Sequence, residues 1–140
     1  MATPNTFRLE FVTPDRALVA EEVDEVQLPG EGGFFGVLPG HAPLLASLAP
    51  GTMWYRKGSE THHAFVGGGF AEVVPDRVSV LAPMAETAEQ IDLARAEAAK
   101  RRAEERLQKA VPEVDFERAR MALIRSIGRL DAAKYARSRR

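Results

Sequence analysis

Apolar and polar positions follow two different periods along this chain, and the change falls near residue 86. Before it, short runs alternate. Phe7, Leu9 and Phe11 are interleaved with Arg8 and Glu10, the mark of a strand with one buried side. Val26 and Leu28 flank Gln27 ahead of Pro29-Gly30. Met53-Trp54-Tyr55-Arg56 runs into Lys57-Gly58-Ser59-Glu60, which predicts a hairpin turn, and the strand pattern resumes through Phe65 and Val66. Ala71-Glu72-Val73-Val74 meets Pro75-Asp76 before Val78-Ser79-Val80-Leu81. Turn signals recurring about every ten residues predict an antiparallel β-sandwich or barrel over residues 1–85.

After residue 86 the period is helical. Thr87-Ala88-Glu89-Gln90 fits a capping box, which predicts a first helix from Ala88 to Lys109 or Ala110. Pro112 breaks the pattern, and Asp115 is placed to cap a second helix from Phe116 onward. Residues 86–140 therefore read as an antiparallel two-helix hairpin. The predicted apolar face of the second helix is Phe116, Ala119, Leu123, Ile127 and Leu130. The first offers Ile91, Ala94, Ala98, Ala99, Ala103 and Leu107. An alanine-rich seam buries little apolar area, and at about 25 cal/mol per Å2 it contributes modestly. Such a hairpin needs the sandwich, a ligand or a partner to fix its shape, which predicts a movable element.

Composition narrows the function classes. The 140 residues suit one domain with an appendage. No apolar run is long enough to span a membrane, and the N-terminus lacks a signal-peptide pattern. With no Cys, disulfides, thiolate metal sites and a Cys nucleophile are excluded. The three histidines are His41, His62 and His63. Adjacent His62 and His63 point to opposite faces of a strand, so no metal site and no Ser-His-acid set is expected. Catalysis by this chain alone is not expected. The net charge of −1 hides an asymmetry: residues 1–85 hold 5 Lys/Arg against 10 Asp/Glu, and residues 86–140 hold 14 against 10. A basic helical half can face nucleic acid, a membrane surface or an acidic protein. Interleaved Glu favours the plainer reading of solvated faces with i,i+4 pairs.

Gly32-Gly33 and Gly67-Gly68-Gly69 open no helix and carry no Lys-Ser/Thr, so they read as turns, bulges or close sheet contacts rather than phosphate loops. Leu38-Pro39-Gly40-His41-Ala42-Pro43-Leu44-Leu45 reads either as a wide self-packed loop or as a docking loop. On the first helix Asp92 and Arg95 share a face, with Arg102 two turns beyond Arg95; on the second, Arg125 and Arg129 share a face. Folded together, these could gather guanidinium forks around an anion, with Asp92 or Glu86 accepting from a base amino group or a ribose hydroxyl. The alternative is an Asp92–Arg95 pair and solvated arginines.

Taken in order, these pieces resemble the epsilon subunit of bacterial and chloroplast F-type ATP synthases. The residues that carry the likeness are Phe7-Arg8-Leu9-Glu10-Phe11-Val12-Thr13-Pro14, Gly36-Val37-Leu38-Pro39-Gly40-His41-Ala42-Pro43-Leu44-Leu45, Gly67-Gly68-Gly69-Phe70-Ala71-Glu72-Val73, Val78-Ser79-Val80-Leu81-Ala82 and the hairpin. The resemblance implies a sandwich of about ten strands followed by two helices, and a non-catalytic place in the rotor. It implies gamma-subunit and c-ring partners for the sandwich, with Glu31, Phe35 and His41 on the docking loop. It implies a hairpin that permits ATP hydrolysis when folded down and blocks it when extended into the alpha/beta catalytic head. The expected location is the cytoplasmic face of a bacterial inner membrane, reached only through the complex. No cofactor is implied, but ATP is implied as a regulatory ligand. Its motif is met by Ile91-Asp92-Leu93-Ala94-Arg95-Ala96, with Glu86, Arg102, Arg125 and Arg129 at the further positions. The competing reading, a nucleic-acid adaptor, is disfavoured because the basic face lacks aromatics: Phe116 is expected in the seam, leaving only Tyr135.

Overall fold

The alternating positions become strands whose buried sides face one another. The computed structural model describes residues 5–109 and 113–136. Its strands are β1 (Phe7–Val12), β2 (Ala17–Val23), β3 (Glu25–Gly30), β4 (Gly33–Val37), β5 (Leu44–Lys57), β6 (Glu60–Val74), β7 (Arg77–Leu81) and β8 (Ala85–Thr87). A 3-10 turn (Ala88–Gln90) leads to α1 (Leu93–Gln108) and α2 (Glu113–Ala133).

The strand order is β2-β1-β7-β6-β5-β3-β4, with β8 also on β6. Among the described residues there are eight strands rather than the expected ten. The reason is that β5 and β6 are 14 and 15 residues long and stay paired from Leu44↔Val73 to Lys57↔Glu60. Each serves both layers of the sandwich. β6 pairs β8 through Ala64–Val66 and β7 through Phe70–Val74. The change of partner falls at Gly67-Gly68-Gly69. Gly69 has φ +103°, and a β-carbon there would lie 2.1 Å from the Leu81 carbonyl oxygen, so only glycine fits. One pairing departs from the antiparallel expectation: β1 and β7 are parallel, Arg8↔Arg77 to Val12↔Leu81. The core between the layers holds Phe7, Leu9, Phe11, Val26, Leu28, Met53, Val66, Val78 and Val80, all buried. Each such large side chain contributes about 1.5–3 kcal/mol relative to exposure.

The hairpin starts later and packs through different residues than the periodicity predicts. The chain breaks at Ile91-Asp92, so α1 begins at Leu93 and Asp92 caps it. The Thr87 box closes only the 3-10 turn, where the Gln90 side-chain oxygen accepts from the Thr87 N–H at 3.1 Å. α2 begins at Glu113, before the expected cap at Asp115; Pro112 lies outside the described residues. Phe116 and Ile127, expected in the seam, are 43% and 49% exposed. Small residues take the contact instead: Ala96 and Ala103 from α1, and Ala119, Ser126, Gly128, Ala132 and Ala133 from α2.

α2 lies on the outer side of β5 and β6. Phe65 points outward from β6 into a second buried cluster with Ile91, Ala96, Ala132 and Ala133. The Thr52 hydroxyl of β5 donates to Asp131 of α2 at 2.7 Å. Nearer the end of the chain, the rings of His63 and Tyr135 stack at 3.7 Å. His62, on the other face, stacks on Tyr55 at 5.0 Å.

Candidate functional site

The root of the hairpin is where β8, α1 and α2 meet. Glu86 on β8 lies opposite Phe65 in the sheet register. Its carboxylate accepts from Arg129 Nε of α2 at 2.5 Å, both side chains being under one-third exposed. The Arg129 guanidinium sits 4.7 Å over the Phe65 ring, a cation–π placement. These contacts are one of the points at which α2 is tied to the sandwich.

The Ile91-Asp92-Leu93-Ala94-Arg95-Ala96 segment is first of all a helix start. Asp92 Oδ1 accepts from the Arg95 backbone N–H at 3.1 Å, satisfying an amide that the first turn leaves unpaired. Ile91 precedes the cap, Ala96 is the fourth helical residue, and both join the Phe65 cluster. This is a hydrophobic staple, and it fixes the angle at which α1 leaves the sandwich. Asp92 therefore holds the Arg95 main chain; no Asp92–Arg95 side-chain pair forms among the described residues.

With the start fixed in this way, Arg95 and Arg102 fall along one edge of α1. A hollow of about 320 Å3 opens there, lined by Glu86, Asp92, Arg95, Ala96, Ala99, Arg102 and Arg129. Arg95 and Arg102 have no carboxylate partner among the described residues. Three guanidinium groups against two carboxylates, one of them committed to a cap, make a binding surface for an anion that carries hydrogen-bond donors. No hydroxyl, imidazole or lysine lines the hollow.

Of the expected site residues, Glu86, Asp92, Arg95, Ala96, Arg102 and Arg129 converge. Ile91 is buried beneath them. Arg125 is not brought to the hollow; it lines a second one with Arg106 and Arg118. Among the docking residues, Glu31 is exposed, Phe35 turns inward against the core, and His41 is half-buried. His41 Nδ1 lies 2.6 Å from the Ala42 carbonyl oxygen. The aromatic ring facing outward is the neighbouring Phe34, 64% exposed. Sequence reasoning passed over Phe34, Thr52, Asp131 and Gly128. Strand alternation was the one signal that could have separated Phe34 from Phe35.

A β-sandwich carrying a folded-back two-helix hairpin, with three arginines and two carboxylates around a hollow at the hairpin's root, defines the class of protein. The comparisons agree. The family described as ATP synthase, Delta/Epsilon chain, beta-sandwich domain matches residues 6–88, and its long alpha-helix domain matches residues 89–134. The ATP synthase epsilon chain of Nitratidesulfovibrio vulgaris is 50% identical over 125 residues, covering 89% of this chain and 93% of that one. That of Bacillus licheniformis is 48% identical over 129 residues, covering 92% and 98%. A chain in the Euglena gracilis mitochondrial ATP synthase superposes with TM-score 0.85 at 25% identity, covering 96% of this chain and 85% of its own. A chain in the central stalk and c-ring structure of the Tetrahymena thermophila mitochondrial ATP synthase shares the fold at TM-score 0.65 and 12% identity, covering 94% of this chain and 99% of its own. The chain belongs to the ATP synthase delta/epsilon family, as an epsilon-type, non-catalytic subunit of the F-type rotor. It is part of a membrane-associated complex, and no helix among its described residues is long and apolar enough to cross a membrane.

Proposed function

We propose that the folded hairpin is the hydrolysis-permissive state of a rotor brake, and that the hollow at its root is a regulatory ATP site. The observation that carries this reading is the convergence of Glu86, Asp92, Arg95, Arg102 and Arg129 where hairpin meets sandwich. A ligand there touches β8, α1 and α2 together, so it stabilises the folded state over any state that separates them. A volume of about 320 Å3 is near the low end of the ~300–1,000 Å3 of small-molecule sites. It takes part of a nucleotide and leaves the rest in solvent. The arginines match phosphate oxygens, and Glu86 or the free oxygen of Asp92 accepts from the base or ribose. ATP is a ligand in this scheme and never a substrate.

The sandwich holds gamma and the c ring, with Glu31, Phe34 and His41 at the docking loop and Phe35 supporting it from beneath. The extended hairpin reaches the alpha/beta head, where its basic excess faces acidic segments of the beta subunits. In this reading the chain works at the cytoplasmic face of a bacterial inner membrane.

Calorimetric titration of the full-length chain with ATP tests the site. Saturable binding that Arg95→Ala and Arg102→Ala each weaken about tenfold, a loss the size of one charge-assisted hydrogen bond, is the expected result. Absence of binding, or equal affinity in both variants, removes the site. Adding the chain to a catalytic head that lacks it tests the brake. Inhibition should appear with the whole chain and vanish on truncation after Met84.

A further inference from the structure

A groove of about 680 Å3 runs between the hairpin and the sandwich on the side away from the root hollow. Leu93, Glu97 and Lys100 bring α1 to it. At helical spacing these lie on the opposite side of α1 from Arg95, Ala99 and Arg102. The apolar wall is Phe34 and Pro50 of the sandwich, Leu93 of α1, and Ile124 and Ile127 of α2. Phe34, Leu93 and Ile127 are all exposed. Single exposed apolar side chains are ordinary, but these come from three elements and gather around one concavity.

Four charged side chains line the same groove: Glu97, Lys100, Asp131 and Lys134. Asp131 accepts from the Thr52 hydroxyl at 2.7 Å and lies 3.7 Å from Lys134, so that pair is already engaged. Glu97 is exposed and forms no ion pair among the described residues. Lys100 is half-buried, and its ammonium has no hydrogen bond or ion pair among the described residues. A lysine so placed lays its apolar stem along the wall and keeps its charge at the rim. The groove is also elongated. Its α2 side runs from Ile124 to Lys134, about 15 Å at 1.5 Å per residue.

We propose that this groove binds a free medium-chain fatty acid, with its hydrocarbon chain against Phe34, Leu93 and Ile127 and its carboxylate on Lys100. The chain removes exposed apolar surface from water, and the carboxylate accepts from the one uncommitted ammonium. A neutral apolar molecule would leave Lys100 unused, and a multiply charged anion finds no second free cation here. The wall is shared by β4, β5, α1 and α2, so the bound acid stabilises the folded hairpin over any state that separates it from the sandwich. None of these contacts belongs to the root hollow, and the site stands if the nucleotide reading fails.

The test is calorimetric titration of the full-length chain with decanoate below its micelle concentration, and with decanol as the uncharged counterpart. The expected result is a single saturable site for decanoate that Ile127→Gln weakens about tenfold and Lys100→Gln about fivefold. Decanol should lose affinity in Ile127→Gln and change less than about twofold in Lys100→Gln. Gln suits a helix, and circular dichroism checks that both variants keep theirs. Bound decanoate should slow hydrogen exchange in α2. No saturable binding overturns the proposal. So does undiminished affinity in Ile127→Gln, which places the acid elsewhere, such as against exposed Phe70 and Leu81. Equal effects of Lys100→Gln on decanoate and decanol leave no carboxylate contact and overturn it as well. Faster exchange in α2 would be detergent action, also a rejection. A ligand-free chain that sediments as a dimer, and as a monomer in Ile127→Gln, assigns the groove to a second copy instead. Arg95→Ala should leave decanoate binding unchanged, so loss of the ATP site and loss of this one are told apart.

Discussion

Gly128 of α2 lies against the ring of Phe65: a β-carbon at 128 would fall 2.9 Å from the ring edge and 3.5 Å from the Gly51 α-carbon. The helix is set down on the sheet where a glycine of one meets a glycine of the other. Phe65 is fully buried, boxed in by Ile91, Ala96, Ala132 and Ala133, with Arg129 above it. The ring has no room to retreat. Gly128→Ala gains about 1 kcal/mol of helix propensity but forces an overpacked contact that costs about 1–3 kcal/mol. The steric term wins, because Phe65 cannot move. Hydrogen exchange should quicken in α2 and stay unchanged in the core strands β1 and β7. Unchanged or slower exchange in α2 would mean that the ring yields.

The Thr52–Asp131 hydrogen bond is the second attachment. At 2.7 Å it is charge-assisted, but the Asp131 side chain is about half exposed and also lies 3.7 Å from Lys134. Its worth is therefore about 0.5–1 kcal/mol, less than a buried charged bond. Thr52→Val should loosen α2 by that amount. Combined with Asp131→Asn, the double variant should lose less than the two single losses added. Strict additivity, read from exchange rates in α2, would show that the two groups do not act as a pair.

Glu86 and Arg129 form the third attachment. Glu86→Gln removes an ion pair worth about 1 kcal/mol at this exposure. Arg129→Ala removes that pair together with the cation–π contact to Phe65, so about 2 kcal/mol is expected. The Glu86→Gln effect should shrink at high salt, because only the ion pair is screened. An Arg129→Ala variant no looser than Glu86→Gln would show that the ring contact contributes nothing.

Much of this architecture is legible in the sequence, and the misreadings share a cause. Phe7, Leu9 and Phe11 announce β1 because large apolar side chains at alternate positions have one place to go. The break near residue 86 is equally plain, since the period itself changes there. Helix facing was misread because periodicity weighs large residues. Phe116 and Ile127 looked like the seam, yet close approach to Phe65 requires Gly128, Ala132 and Ala133, which carry little apolar weight. Helix spacing did place Arg95 and Arg102 on one edge. It could not show that Arg125 sits nearer Arg106 and Arg118, because that depends on the stagger of two helices. The strand count failed for a related reason: continuous pairing across Gly67-Gly68-Gly69 joins segments that turn signals would separate.

Asp92 is the residue whose structural and ligand roles most need separating, and its substitutions can do so. Its Oδ1 caps α1 through the Arg95 N–H, and Asp92→Ala should cost about 1 kcal/mol of helix stability. Fraying of the first turn would also misplace Arg95, so lost ATP binding in Asp92→Ala would not by itself identify a ligand. Asn is as good a cap as Asp, and Asp92→Asn should leave α1 intact by circular dichroism and exchange. What Asn lacks is the negative charge and one acceptor oxygen. If Asp92→Asn keeps the helix and weakens ATP binding several-fold, the carboxylate contacts the ligand as well as the backbone. If affinity is unchanged in Asp92→Asn and falls only in Asp92→Ala, Asp92 belongs to the helix start alone. Recognition at the root would then rest on Glu86 and the arginines.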